Sequence, residues 1–312
     1  MAFFQTHYKE NMERRPFIRA AGLAAVTVLS AGCTLARSPS AAQASRFQEE
    51  AQKIERDSGG RLGVAVLDTH TGLAWAHRGS ERFPMCSTFK FLAAALVLAR
   101  VDRGQEQLTR RIAVQAGDIV PHAPATGPRV GGAPMSLAEL CDAAITLSDN
   151  PAANLLLQSF GGPAALTVYA RSLGDAFTRL DRIEPELNEA LPGDPRDTTT
   201  PEAMLQTLRK IVLGDALSPA SRAQITRWLQ DNKTGDRKLR AQLPAGWRVG
   251  DKTGGGAYGT NNDVGVLWPP AGRAPLLVSS YLTQTRADQA TRDLALARVG
   301  RLAASLVAPD MG

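Results

Sequence analysis

Apolar residues change their spacing several times along the chain. In RFQEEAQKIERDSGG, residues 46–60, Phe47, Ala51 and Ile54 recur at helical intervals among charged neighbours, and a glycine pair ends the run. That spacing predicts an amphipathic helix. RLGVAVLDTHTGLAWAHRG comes next, alternating on either side of THTG, and predicts a β-hairpin. From Pro84 to about Trp228 the signals are helical. FLAAALVLA, residues 91–99, is apolar on every side, as a buried helix is. SLAELCDAAITLSDN opens with Ser136 and places Glu139 three positions on, a capping box. GPAALTVYARSLG, TPEAMLQTLRKIVLG and SPASRAQITRWLQ each carry a helix start. Strand signals return in GWRVGDKTGG, NDVGVLWPP and APLLVSSYLTQ, and the helix ADQATRDLALARVGRLAASLVA closes the chain.

Strands at both ends with helices between predict an α/β (α+β) fold. One antiparallel sheet is built from both chain ends and flanked by helices, and an all-α lobe is inserted. The expected division is a discontinuous sheet lobe, 45–80 and 230–309, and a helical lobe, 81–229. A pocket is expected in the cleft between them. Residues 178–200, TRLDRIEPELNEALPGDPRDTTT, hold three prolines and no clear period. A long structureless loop inside a domain is uncommon and usually functional. Arg182 and Asp197 lie near its ends. Either they pair and pin the loop, or they are two solvated charges.

Composition changes this picture at the N-terminus. Hydrophobic residues make up 44% of the 312 and charged residues 21%, enough for a proper core in a soluble chain. The formal charge is +6, but residues 1–44 hold five Lys/Arg against two acids, so only +3 remains for the rest. No basic run stands beside stacking aromatics, so nucleic-acid binding is not expected. ERRPFIRAAGLAAVTVLSAGC has an arginine pair and an apolar stretch too short to span a bilayer. Residues 1–44 are therefore expected to be a twin-arginine-like export leader, and the protein periplasmic. Two processing sites fit: AQA at Ala42–Ala44, or LSAGC ending at Cys33, which would leave a lipid anchor. Cys86 and Cys141 follow the leader; two buried free thiols are expected. A monomer is the default.

Four short segments carry candidate chemistry. Ser87 and Lys90, in MCSTFK, stand three apart where the apolar helix begins. Residues at that spacing share a helix face. A serine hydroxyl needs a base beside it to attack at neutral pH, and Lys90 would serve. Histidine is scarce, with only His7, His70, His77 and His122, and no G-x-S-x-G elbow occurs. SDN at Ser148–Asn150 offers a proton-shuttling hydroxyl and a substrate-orienting amide, or is a polar helix stop. KTGG at Lys252–Gly255 sits on a strand. Lys252 and Thr253 would hold a carboxylate there, and the N–H groups of Ser87 and Gly255 would form an oxyanion hole. Glu184, with Asn188, would hold a water in the irregular loop.

Together and in this order, the S-x-x-K, S-D-N and K-T-G set and the EPELN loop resemble the class A β-lactamases, the serine penicillinases. The resemblance covers roughly residues 46–308. RFPMCSTFK, LSDNPAANLLL, LDRIEPELNEALPGDPRDTTTP and RVGDKTG carry it. It implies hydrolysis of the β-lactam amide of penicillins and cephalosporins, hence antibiotic resistance, without metal or organic cofactor. Ser87 would be acylated; Lys90, or Glu184 through water, would take its proton. Ser148 would protonate the leaving nitrogen, and Glu184 with Asn188 would activate the deacylating water. Lys252 and Thr253 would bind the substrate carboxylate, and Asn150 the acylamide.

This chain departs from relatives at several positions. Asn261 stands where many place an arginine, so Lys238 or Arg237 is expected to supply the charge. His122 stands where an aromatic edges the cleft and would stack on substrate. Gly256 occupies the place of a cysteine that bridges the counterpart of Cys86 in carbapenem-hydrolysing relatives, which removes that argument for carbapenem hydrolysis. Ala94 stands where the counterpart of Cys141 finds its partner. A penicillin-binding transpeptidase or carboxypeptidase shares three of the four elements but lacks the loop with Glu184 and Asn188. A β-lactam sensor would carry transmembrane helices.

Overall fold

The computed structural model describes residues 37–307. The leader's arginine pair and Cys33 lie outside them. The first helix, α1 (Ala41–Ser58), starts five residues earlier than the periodicity from Phe47 suggests. Ser40 is the reason: its side chain accepts from Gln43 N, and the Gln43 side chain reaches back, the reciprocal cap that starts a helix. Ala42–Ala44 therefore occupy the first turn of α1.

The predicted hairpin is β1 (Arg61–Asp68) and β2 (Ala74–His77). The last three strands are β7 (Arg248–Gly255), β8 (Asn261–Trp268) and β9 (Leu276–Thr283). All five form one antiparallel sheet in the order β2-β1-β9-β8-β7. The N-terminal β1 thus lies inside the sheet, paired with β9 from Arg61↔Thr283 to Asp68↔Leu276.

Strand alternation sorts the core into two layers. Leu62, Val64 and Val66 of β1 pack with Leu276, Val278 and Leu282 of β9 against α1 and α8 (Gln289–Ser305). Ala65 and Leu67 of β1, Val264 and Val266 of β8, and Leu277 and Tyr281 of β9 face the larger core instead. That core holds α2 (Phe89–Asp102), which buries eleven of its residues from Phe89 to Ala99.

Between the two groups of strands the chain is mostly helical. Two short pairs depart from the all-α expectation: β3 (Phe83–Pro84) with β6 (Thr198–Thr199), and β4 (Arg111–Ile112) with β5 (Met135–Ser136). The helices are α3 (Leu137–Thr146), α4 (Asn150–Phe160), α5 (Gly162–Ser172), α6 (Pro201–Val212) and α7 (Pro219–Gln230). The Ser136–Glu139 capping box starts α3 as expected. Residues 178–200 stay irregular apart from β6 and a single 3-10 turn at Glu186–Asn188. The described residues belong to one compact unit.

Candidate active site

Ser87 does not lie in the first turn of an α-helix. It lies in a 3-10 turn, Cys86–Thr88, that leads into α2. Cys86 takes a positive φ of 44°, a conformation uncommon outside glycine. The tighter turn still brings Lys90 Nζ to 2.8 Å from Ser87 Oγ. Ser87 is 8% exposed and Lys90 is fully buried. A buried ammonium needs partners. It donates to Ser148 O at 2.8 Å and Asn150 Oδ1 at 2.5 Å, and Glu184 Oε1 lies 2.9 Å away. Burial pushes the Lys90 ammonium down, and the charge of Glu184 opposes that.

The SDN segment is a junction between helices. Ser148 has φ 58°. Asp149 caps α4 by accepting from Ala152 N, and it also holds the N–H groups of Ala125 and Thr126. Asn150 is the first residue of α4; its amide donates to Pro121 O at 2.8 Å. His122 is exposed, with Nε2 2.9 Å from Leu147 O, and its carbonyl accepts from Asn150 N. This ties the edge histidine to the SDN backbone. Ser148 Oγ accepts from Lys252 Nζ at 3.0 Å and from Lys90 Nζ at 3.4 Å, so two lysines meet at one hydroxyl.

The irregular loop brings Glu184 inside. Its side chain is buried, and Ser87 Oγ lies 3.3 Å from Glu184 Oε1. Asn188 Nδ2 donates to the other carboxylate oxygen, while Asn188 Oδ1 is buried without a partner. Asn154 was not flagged by sequence. Its amide accepts from Glu184 N and donates to Glu184 O, both at 2.9 Å. The signal was an asparagine one turn after Asn150 on the buried face of α4. The pairing of Arg182 with Asp197 is present, Nε to Oδ2 at 2.6 Å. Asp197 Oδ1 accepts the N–H groups of Asp181 and Arg182 as well. A salt bridge supported by two backbone bonds closes the loop at its neck.

Strand β7 forms the opposite wall. A Cβ added at Gly254 would lie 2.8 Å from Met85 O and 3.3 Å from Ser87 N. Only glycine lets the strand pass this close to the nucleophile's amide. Lys252 is fully buried, and burial, then Lys90 and Lys238, push its ammonium well down. Thr253 Oγ1 lies 2.5 Å from Thr234 Oγ1. The adjoining cleft measures about 460 Å³ and is lined by Ser148, Thr234, Lys238, Thr253, Gly255 and Arg292 among others. Of the two cations expected near the carboxylate, Lys238 is buried and lines this cleft, whereas Arg237 is exposed and does not. Arg292, on α8, was missed because it reads as one of several arginines on a closing helix. Asn261 turns its amide to Asp293 Oδ1 at 3.0 Å.

Cys86 and Cys141 are buried free thiols. A Cβ added at Gly256 would lie 2.7 Å from Cys86 Sγ and from Asn188 O, so a cysteine there reaches Cys86 once the loop yields slightly. Gly256→Cys is expected to form that bridge under oxidising conditions. Titrating thiols in the denatured protein should then count one fewer than in the parent; one more would mean that no bridge forms.

The Beta-lactamase enzyme family matches residues 46–307. The chain is 46% identical to Beta-lactamase L2 of Stenotrophomonas maltophilia over 95% of this chain and 99% of that protein. It is 50% identical to a β-lactamase of Streptomyces albus G over 80% and 81%. Among solved structures, an ancestral (GNCA) class A β-lactamase is 63% identical with a TM-score of 0.81, covering 83% of this chain and 99% of that one. A putative class A β-lactamase, PenP from Rhodopseudomonas palustris, is 59% identical with the same score. The chain belongs to the class A β-lactamase family.

Proposed function

We infer that this protein hydrolyses the β-lactam amide of penicillins and cephalosporins through an ester on Ser87, and so gives β-lactam resistance. One observation carries the reading: Lys90 Nζ and Glu184 Oε1 lie 2.8 and 3.3 Å from the same serine oxygen, although Glu184 is 97 residues further along the chain. The lysine suits acylation, and the carboxylate suits release.

Lys90 first passes a proton to Glu184, 2.9 Å away. The freed amine takes the proton of Ser87, whose oxygen attacks the strained carbonyl. The N–H groups of Ser87 and Gly255 hold the oxyanion, each such donor lowering the barrier by about 3 kcal/mol. As the C–N bond breaks, Ser148 gives its proton to the ring nitrogen and is reprotonated by Lys90. Glu184 returns its proton to Lys90. It then takes one from a water held against Asn188 as that water attacks the ester carbonyl, and gives it to the departing Ser87 oxygen as the acyl–oxygen bond breaks. Lys252 and Thr253 bind the substrate carboxylate, Asn150 the acylamide, and His122 stacks at the edge. Sustained nitrocefin turnover supports this reading; a single burst of acylation without turnover favours a transpeptidase or a sensor.

Lys238 supplies the second cation for the carboxylate. Its side chain lines the cleft, and Arg237 does not. Lys238→Ala is expected to raise KM for benzylpenicillin about tenfold, for loss of one charge-assisted contact, with kcat little changed; Arg237→Ala should not move KM. An unchanged KM in both variants contradicts this assignment.

Export to the periplasm completes the reading, supported by the arginine pair at Arg14–Arg15. Ala42–Ala44 or Cys33 would be the processing site, and the enzyme would act as a monomer.

A further inference from the structure

Strand β7 carries a second acid beside Lys252. Asp251 pairs with Gly265 across the ladder, and Asp263 with Thr253. Alternation places both carboxyls on one sheet face as diagonal neighbours. A Cβ on Gly265 would come within 2.9 Å of Asp251 Cβ, and one on Gly235 within 2.0 Å of Asp251 Oδ2. Glycines on two sides thus leave the carboxyl the space that it occupies.

Each acid has one satisfied and one unsatisfied oxygen. Asp251 Oδ1 accepts from Asn232 Nδ2 at 3.0 Å and from the Arg240 guanidinium. Asp263 Oδ2 accepts from Leu239 N at 3.2 Å. Asp251 Oδ2 and Asp263 Oδ1 are buried with no partner, and neither residue is exposed. Two desolvated carboxylates side by side do not both stay ionised. The two side chains lie within hydrogen-bonding reach of each other, so one proton held between them would give an unpartnered oxygen of each a partner.

The surroundings say what that proton does. Lys238 lies on the segment before β7, Arg240 two residues on, Lys252 on β7, and Arg292 and Asp293 on α8. Burial pushes Lys238 down, and Asp263, Asp293 and Asp251 draw it back up. Burial, then Asp251, push Asp263 well above the usual carboxylate range, and Lys238 opposes them. A doubly charged acid pair would cancel much of the positive field reaching the cleft. A singly charged pair leaves it in place.

We propose that Asp251 and Asp263 share one proton across the face of the sheet, and that this proton sets the positive charge that Lys238 and Lys252 present to the substrate carboxylate. Both are positioning residues: they act through the lysines and do not touch substrate. The proposal rests on the β-lactamase reading for its kinetic consequence, but not for the proton itself.

Infrared difference spectra of the folded enzyme at neutral pH test the proton directly. A carboxylic-acid C=O band that shifts in heavy water should be present in the parent and lost in Asp263→Asn. Asp251→Asn should also lose it, which guards against misfolding of one variant. A band that survives both substitutions, or none in the parent, overturns the shared proton. In the parent, KM for benzylpenicillin should rise on the order of tenfold as alkali removes the proton, the effect of one added charge nearby. The rise should vanish in Asp263→Asn. A rise that persists there belongs to the lysines and overturns the kinetic half. If the parent hydrolyses no β-lactam, the functional reading fails while the infrared result still stands.

Discussion

Glu184→Gln is expected to trap the enzyme as its ester. Penicillin should still acylate Ser87, because a glutamine amide keeps the loop's shape and Lys90 still lies 2.8 Å from Ser87 Oγ. The water beside Asn188 then has no base, so kcat should fall by roughly 10²–10⁴, the usual contribution of general-base catalysis. Mass spectrometry of the intact protein should show the parent mass plus one whole penicillin within a single turnover. Acylation should slow too, because Glu184 receives the Lys90 proton in the proposed route, but by less than release of the ester, so the ester accumulates. An unmodified serine with equally slow turnover would instead assign Glu184 to acylation alone.

Lys90→Met should do more harm, on two levels. The substitution removes the group that deprotonates Ser87, so acylation should slow by roughly 10²–10⁴. It also leaves Glu184 buried without its cation. Breaking one side of a buried ion pair typically costs about 3–5 kcal/mol. Asn188 and Ser87 still donate to the carboxylate, which places the expected loss near the low end, about 3 kcal/mol. Urea unfolding of the variant against the parent measures it, and pre-steady-state acylation measures the rate. The double variant Lys90→Met with Glu184→Gln should recover most of the stability and none of the activity. If it recovers neither, the ion pair is not what the first substitution broke.

Much of this site was legible in the sequence because its chemistry is carried by short local spacings. Ser87 and Lys90 are one turn apart, Lys252 to Gly255 lie on one strand, and Glu184 and Asn188 fall in one break of period. Hydrophobic alternation likewise marked all five strands of the sheet. What escaped are partners joined only by folding. Asn154 holds the backbone of Glu184 from α4, and Thr234 meets Thr253 across 19 residues. Arg292 reaches the cleft from the last helix. No spacing rule links such pairs, and each reads locally as an ordinary polar residue. The start of α1 escaped for a different reason: the capping box at Ser40–Gln43 precedes the first buried position, Phe47, and periodicity sees only burial. The 3-10 turn escaped because Cys86 adopts a left-handed backbone that its sequence does not announce.

The position of β1 has a consequence for how the polypeptide is made. Its ladder partner β9 emerges from the ribosome more than 200 residues later. Until then one edge of an inner strand, from Leu62 to Leu67, has no ladder partner. Pairing across so many residues carries a large loop-closure entropy and slows folding. The nascent chain therefore carries an open hydrophobic edge until it has been made through Thr283, and only then can the catalytic sheet close.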